Sequence, residues 1–196
     1  MLFRSAGGPW AAKLLEGLPA ANQGTPPPRL SRAMNLVTRK VVNEHACGGL
    51  ANGRYLFMVP WRDVSLLGTS HDAHDGTADQ LKVSRWDLEA FLKDAREAFP
   101  HAGLTTADVR LVHRGLLPMT SGEGARVRLL RESRVVDHSR HGLPGLISMF
   151  GVRYTTARFT AEQAVDAAFR NLGHNTPPPC RTAETPLHGG SINRMD

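Results

Sequence analysis

The sequence predicts a mixed α/β (α+β) chain in which an antiparallel sheet with one helix interrupts a smaller strand-and-helix unit. Three observations predict it. Short aliphatic and β-branched runs between turn signals fill the middle of the chain, one amphipathic helix lies among them, and a nearly all-apolar strand followed directly by a helix closes it. That order is what an inserted domain leaves in a chain.

Taken in order, Trp10 to Leu18 reads as a short helix, and Gly24-Thr25-Pro26-Pro27-Pro28 ends the segment because proline continues neither a helix nor a central strand. Strands are expected at Leu36 to Val42, Arg54 to Trp61, Val64 to Gly68, Val109 to Leu117 and Val127 to Leu130, with Asp63 marking a tight hairpin. Ser84 followed by Asp87 is a capping-box pattern. It opens a helix from Arg85 to Phe99 that carries Leu88, Phe91, Leu92, Ala95 and Phe99 on one face and stops at Pro100. Thr105 to Asp108 is a turn into the next strand. Gly145 to Phe150 is the closing strand. The helix after it, Thr156 to Leu172, repeats Ala157, Ala161, Ala164, Val165, Ala168, Phe169 and Leu172 at helical spacing before Gly173. From Asn175 the composition turns to proline, glycine and polar residues, as in a disordered tail. The expected segments are therefore 1–28, 29–134, 135–173 and 174–196.

The chain has 196 residues, of which 41% are hydrophobic and 21% charged, which suits a soluble globular protein rather than a disordered one. No apolar run approaches the ~20 residues of a membrane span, and the start lacks a basic-then-apolar secretory layout, so a cytoplasmic location is expected, with a peripheral place at the inner membrane face allowed. Cys47 and Cys180 lie far apart without metal spacing and read as free thiols. The net charge of +6 is mostly arginine, with lysine only at Lys13, Lys40, Lys82 and Lys93. The densest group, Arg126, Arg128, Arg131 and Arg134, falls on a strand and turn without interleaved aromatics, so no nucleic-acid interface is expected. His71-Asp72-Ala73-His74-Asp75 has metal-ligand residue types, but neighbours in an extended loop do not converge on one ion, and no metal is expected.

The residues Gly151-Val152-Arg153-Tyr154-Thr155-Thr156-Ala157-Arg158 carry the most information, because a helix N-terminus behind a glycine seats an electron-rich ligand edge. This octapeptide resembles the Gly-Gly-Lys-Leu-Thr-Thr-x-Arg segment of FAD-dependent glycerol-3-phosphate dehydrogenases, within the D-amino-acid-oxidase-like flavoproteins. Other segments follow in the family's order. Ala6-Gly7-Gly8-Pro9-Trp10 is similar to its Asn-Ala-Ala-Gly-Pro-Trp, Arg54 to Trp61 with Leu67 to Ser70 to its Arg-x-Leu-Phe-x-x-Pro-Trp and Gly-Thr-Thr, Gly115 to Met119 to its Gly-Val-Arg-Pro-Leu, and Leu130 to Ser133 to its Arg-Glu-His or Arg-Asp-Tyr turn.

The resemblance implies a substrate domain inserted into an FAD domain, a hydride passed from a small hydroxy or amino substrate to flavin, and a quinone or other carrier as electron acceptor. It places Gly7, Gly8, Pro9, Trp10, Gly151, Val152, Arg153, Tyr154, Thr155 and Thr156 at the cofactor, and Arg131, Arg153, Asn35, Leu117 and His71 on the substrate side. Arg131 would hold an anionic end of the substrate. Two departures make the expected site less cationic than one for glycerol 3-phosphate: Leu117 stands where the family has arginine, and Arg32-Ala33-Met34-Asn35 where it has Lys-Gly-Ser-His. Arg114 cannot replace the missing arginine, since residues three apart on a strand face opposite ways. The catalytic base is left unassigned, and His113, His138 and His141 are expected to be satisfied polar residues. No Gly-x-Gly-x-x-Gly opens a helix here, Gly122-Glu123-Gly124 lacking that context, so the ADP-binding half is expected on a missing N-terminal segment or another polypeptide. The alternative reading is a non-catalytic remnant or binding module of the same fold without flavin.

Overall fold

In chain order the elements are β1 (Phe3–Ser5), α1 (Ala11–Glu16), β2 (Arg29–Arg39), β3 (Cys47–Ala51), β4 (Arg54–Trp61), β5 (Val64–His74), α2 (Arg85–Ala98), β6 (Val109–Met119), β7 (Arg134–Asp137), β8 (Leu146–Phe150) and α3 (Ala157–Asn171). The computed structural model describes residues 3–18, 26–120, 127–174 and 176–190. Gly24, Thr25, Gly122 to Gly124 and Arg126 lie outside the described residues. The elements divide into two units, Pro28–Leu129 and the combination of Met1–Pro27 with Leu130–Asp196, so the second boundary falls before Leu130 rather than after Arg134.

The inserted unit is a five-stranded antiparallel sheet in the order β3-β4-β5-β2-β6. Tight turns set its register. Asn52 and Gly53, at φ 49° and 69°, join β3 to β4, and Arg62, at φ 54°, joins β4 to β5. The β3 strand, Cys47-Gly48-Gly49-Leu50-Ala51, has too many small residues to read as one, yet its Asn-Gly turn is a hairpin signal. Both β2 and β5 run longer than their apolar cores: β2 begins at Arg29 and stops at Arg39, short of Val42, and β5 extends through His71 to His74. Val127 to Leu130 forms no strand, only a bridge from Leu129 to Met119.

Alternation divides this sheet into two faces. Met34, Leu36, Leu56, Met58 and Leu67 point to the covered face and form its core with Phe91, Leu92 and Ala95 of α2 and with Leu104. The Ser84 hydroxyl accepts the Asp87 amide at 3.2 Å while Asp87 accepts the Ser84 amide at 2.7 Å, so the capping box forms. Asp87 also receives the Arg32 guanidinium at 2.5 Å, tying α2 to β2. Burial pushes the Asp87 carboxyl up, but the Ser84 hydrogen bonds and Arg32 outweigh it and hold the pKa below the ordinary value. The α2 helix closes so tightly on β3 that a Cβ at Gly49 would strike the Ala98 carbonyl oxygen. On the opposite face Tyr55, Phe57, Val59, Trp61 and Leu111 remain exposed.

The other unit is a three-stranded sheet, β1-β8-β7, with β1 parallel and β7 antiparallel to β8. Every β8 residue except Met149 is buried, as its apolar run requires. The stripe of α3 that packs inward is Thr160, Ala164, Ala167 and Ala168, with Ala167 and Ala168 on Ile147. The repeat through Ala157, Ala161, Val165 and Leu172 is turned outward instead. Small residues let the helix approach the sheet closely. The end of α3 is capped by Gly173 at φ 86°, with the His174 amide on the Phe169 carbonyl and the Gly173 amide on that of Arg170. Asn171 fastens the helix to the sheet, donating to Asp137 at 2.7 Å and accepting from Ser139 at 2.8 Å. The described part of the C-terminal segment, 176–190, consists of turns and irregular chain without helix or strand.

Candidate functional site

The segments expected at the cofactor meet at one edge of the smaller sheet. Because β1 and β8 are parallel neighbours, with Ser5 opposite Ser148, the turns that follow them leave from the same carboxyl edge. One turn contains Gly7, Gly8, Pro9 and Trp10, the last three in a single 3-10 turn before α1. The other contains Gly151, Val152 and Arg153, followed by a 3-10 turn over Tyr154–Thr156 that leads into α3. The antiparallel strand β7 starts where β8 ends, Arg134 pairing with Phe150, so the bend through Arg131 reaches that edge too. Ser133 Oγ accepts the Val152 amide at 3.3 Å. Three segments, the first more than a hundred residues before the other two, thus converge where open α/β sheets bind ligands.

The edge is shaped for close approach. A Cβ added at Gly8 or at Gly151 would meet no atom within 4 Å, and Gly8 has φ +53°. The amides of Arg153, Tyr154 and Thr155 have no acceptor among the described residues. Arg131, Arg153, Tyr154, Thr155 and Thr156 are exposed. An electron-rich ring edge set against these amides would gain about 0.3–1 kcal/mol from the α3 N-terminus, and up to ~2 kcal/mol if it were partly buried. The residues present therefore fit a flavin pyrimidine edge, with an open glycine, convergent donors and a cationic side chain.

The remaining residues expected on the substrate side, Asn35, Leu117 and His71, lie on the open face of the inserted sheet. A cleft of about 470 Å³ is lined there by Asn35, Thr69, His71 and His113 among aromatic and aliphatic neighbours that include Tyr55, Phe57 and Leu66. A bulge shapes it. Met34 pairs with Ser70 and Leu36 with Leu67, leaving Asn35 opposite both Gly68 and Thr69. The Thr69 hydroxyl donates to Asn35 Oδ1 at 2.7 Å, so the amide's NH₂ is left as the donor for a ligand. Glycine at 68 is required by this arrangement, because a Cβ would collide with Asn35 Oδ1.

His113 sits directly opposite Asn35 in the β2–β6 register and lines the same cleft, a placement the sequence did not single out. The missed signal was register: with β2 and β6 paired antiparallel, position 113 lands beside position 35. Leu117, opposite Ser31, lies on the same face but not in the cleft lining, and Arg114 falls on the other face. His138 does fit the expectation, being buried with Nε2 3.0 Å from Ser148 Oγ. His141 Nδ1, by contrast, is buried without a partner among the described residues.

His71 is half-buried, with Nδ1 3.5 Å from Ser31 Oγ, and its main-chain oxygen accepts from Arg54 at 3.1 Å. Burial and the Arg54 guanidinium hold its pKa below the ordinary imidazole value, against the pull of Asp72. The run from His71 to Asp75 is mostly strand rather than loop, and its side chains disperse. Asp72 faces Arg32 at 3.5 Å, Asp75 pairs with Arg29 at 2.8 Å, and His74 Nε2 lies 2.9 Å from the Thr77 carbonyl. Among the described residues no group of three His, Cys, Asp or Glu could hold a metal ion. A larger cleft, about 670 Å³, runs beside the edge strand β7 and α3, lined by Arg134, Arg140, Arg170, Asp137 and Asp166 among others, and holds none of the expected site residues.

A sequence model described as FAD dependent oxidoreductase matches residues 5–162. The chain is 32% identical to the glycerol-3-phosphate dehydrogenase of Synechocystis sp. over 137 residues, which is 69% of this chain and 25% of that protein. It is 25% identical to the aerobic glycerol-3-phosphate dehydrogenase of Escherichia coli over 198 residues, 96% of this chain and 38% of that one. The crystal structure of glycerol-3-phosphate dehydrogenase from Bacillus halodurans, complexed with FAD, superposes with a TM-score of 0.68 at 25% identity, covering 90% of this chain and 33% of that one. Glycine oxidase from Bacillus cereus shares the fold at a TM-score of 0.51 and 17% identity, over 89% of this chain and 43% of that one. The chain spans between a quarter and about two fifths of the length of these proteins.

Proposed function

The chain belongs to the FAD dependent oxidoreductase family, and on that premise we propose that it supplies the substrate-binding sheet and the closing strand and helix of a flavin-dependent dehydrogenase of the glycerol-3-phosphate dehydrogenase type. FAD, when bound, would supply the acceptor for a hydride leaving a small hydroxy or amino substrate, and the electrons would pass on to a quinone or another carrier. The observation that carries this reading is the convergence of Gly7 to Trp10, Arg131 to Ser133 and Gly151 to Thr156 on the carboxyl edge of β1 and β8.

Each residue then has a task. The amides of Arg153 to Thr155 and the α3 N-terminus face the ring edge where reduction places negative charge. Arg153 adds a fixed positive charge beside it, and Arg131 holds an anionic end of the substrate. Asn35, its oxygen fixed by Thr69, offers its NH₂ to a substrate oxygen. Tyr55, Phe57 and Leu66 exclude water from the apolar part of the ligand. A glycine-rich pyrophosphate loop, which this sequence does not contain, comes in this reading from a further segment or polypeptide, so the chain alone binds FAD weakly. Among the described residues no helix is long and apolar enough to cross a membrane, and a peripheral place on a membrane surface suits a quinone acceptor.

The test is a fluorescence titration with FAD of the parent chain and of Gly151→Val, with unfolding curves as the control. The substituted side chain enters open space, so stability should stay within about 0.5 kcal/mol of the parent. Flavin affinity should nevertheless fall by tenfold or more, about 1.4 kcal/mol. Equal FAD binding by both would remove the glycine edge from the cofactor site. The non-catalytic alternative draws on Asn35 and Leu117 in place of the family's histidine and arginine, and it predicts no flavin-dependent turnover even after completion by a loop-bearing segment.

A further inference from the structure

The larger cleft, about 670 Å³, lies within the unit of the three-stranded sheet, and its shape is that of a groove along a strand edge. Ser133, Arg134, Val135, Val136 and Asp137 all line it. Side chains of consecutive strand residues alternate between the two faces, so five in a row place the cleft along the edge of β7 rather than over one face. That edge is open: β7 pairs with β8 on one side and with no strand on the other among the described residues. The facing wall is one stripe of α3, formed by Gln163, Asp166, Ala167 and Arg170 at helical spacing. Both walls run about 10 Å, from Arg134 to Asp137 at ~3.3 Å per residue and from Gln163 to Arg170 at ~1.5 Å per residue.

Charge decides what such a groove takes. Arg134, Arg140 and Arg170 line it from β7, from the 3-10 turn after β7 and from α3, and none has an ion pair or side-chain hydrogen bond among the described residues. Two carboxylates offset them in part: Asp166, and Asp137, which Asn171 and Ser139 already hold at 2.7 and 2.6 Å. Arg134 stands at one end of the groove, while Arg140 and Arg170 flank the Asp137–Asn171 contact at the other. Guanidiniums set that far apart do not converge on one small anion. We propose that the groove binds an extended segment of a partner protein, added as a strand to the free edge of β7, with an acidic side chain near each end and apolar or hydroxyl residues between. Its main chain pairs with the outward amides and carbonyls of β7. Its carboxylates meet Arg134 at one end and Arg140 with Arg170 at the other, and its middle rests on Val135 and Ala167. A second copy of this chain fits less well, because a two-fold pairing of β7 with itself sets one net-positive groove against another. This surface is independent of the oxidoreductase reading.

The probe is the synthetic peptide acetyl-Glu-Val-Thr-Val-Glu-amide, titrated into the isotope-labelled full chain and followed by NMR. Amide signals should shift over Ser133 to Asp137 and over Gln163 to Arg170, and the outward β7 amides should exchange more slowly with peptide bound. The same peptide with lysine for glutamate should bind roughly tenfold more weakly or less. N-methylation of one alternate set of peptide amides should weaken binding, and that of the other set should not, because only one set faces β7. In the protein, each of Arg134→Gln, Arg140→Gln and Arg170→Gln should weaken binding by about 1.4- to 5-fold, as exposed ion pairs do, and added salt should act the same way. All three side chains are exposed, so unfolding curves should match the parent. Equal binding of the glutamate and lysine peptides, indifference to both N-methylated sets, displacement by equimolar inorganic phosphate, or shifts confined to other elements would each overturn the proposal. So would absence of binding at millimolar peptide, which would leave the arginines as guards of an edge strand. Self-association of the chain that the peptide dissolves would assign the groove to a second copy instead.

Discussion

Gly68→Ala probes the contact that holds the cleft's amide in place. A Cβ at residue 68 would collide with Asn35 Oδ1 and come within 2.7 Å of its Cγ, and that oxygen is the acceptor for the Thr69 hydroxyl. The clash is with the end of a short side chain, so Asn35 rotates away and the backbone stays in place. Losing the amide–hydroxyl hydrogen bond costs about 0.5–1.5 kcal/mol, and an off-rotamer Asn35 a further ~0.5–1.5 kcal/mol, for a total of about 1–3 kcal/mol. In a unit the size of Pro28–Leu129, that lowers the melting temperature by roughly 5–20 °C. Thermal and urea unfolding of Gly68→Ala, Asn35→Ala and the double variant complete a cycle. Asn35→Ala should cost only the hydrogen bond, and adding Gly68→Ala to it should cost almost nothing more, because the colliding oxygen is gone. Additive losses, or a Gly68→Ala as stable as the parent, would show that Asn35 does not lie over Gly68.

Acid should destabilise the chain in two stages. His71 and His138 have folded pKa values below the ordinary 6.5, so the stability they confer is complete above that value and is lost as pH falls below it, when the unfolded chain binds their protons first. Asp87 and Asp137 are depressed below 3.8 in the fold, so their stabilisation is present above that value and is lost only as pH falls through their lower folded values. A pH series of urea midpoints in the parent and in the double variant His71→Asn, His138→Gln should show the first stage flattened and the second retained. At the cofactor edge of a flavin-loaded protein, Arg153→Ala should lower the flavin potential and weaken an anionic ligand by about 1.5–3 kcal/mol, while Arg131→Ala weakens the ligand alone. Identical titrations of flavin and ligand in all three proteins would make both arginines mere surface residues. Leu117→Arg should raise kcat/KM for glycerol 3-phosphate, by roughly 30-fold or more if the new contact is buried; efficient turnover by the parent with no gain in the variant would show that another group holds the phosphate.

Local rules made much of this molecule legible. Ser84 with Asp87 marked the start of α2, Gly173 the end of α3, and the β4 bounds coincide with the expected Arg54 and Trp61 because apolar alternation and turn residues agree there. What escaped depends on pairing between distant segments. A strand of small residues such as β3 exists because Tyr55 and Leu56 pair with Leu50 and Gly49, and nothing in Cys-Gly-Gly-Leu-Ala announces it. The buried stripe of α3 turned toward Thr160 and Ala167 because β8 demands close packing, a choice that an alanine-rich helix leaves open on several faces. His113 was invisible as a cleft residue until β6 had a register. The motif resemblance reached further than periodicity did, since it named turns near residues 8, 131 and 152 that local reading cannot connect and that the parallel pairing of β1 with β8 brings to one edge.

The composition of the cleft bears on what it can hold. Among the described residues its lining contains no lysine or arginine, and the nearby Arg54 gives one donor to the His71 main chain. A phosphate dianion placed there would surrender hydration without a fixed counter-charge from the lining, and uncompensated burial of charge costs several kcal/mol. A hydroxyl or carbonyl oxygen faces no such penalty. The Asn35 NH₂ is free to donate to its lone pairs, and Tyr55, Phe57 and Leu66 offer apolar surface to the carbon beside it. The lining therefore suits a hydroxyl or carbonyl group better than an anionic one. Isothermal titration at several salt concentrations separates these cases. Binding of a neutral alcohol probe should vary little with ionic strength and should disappear in Asn35→Leu, whereas strong salt dependence of that neutral probe would mean that ionic contacts, not the amide, govern the cleft.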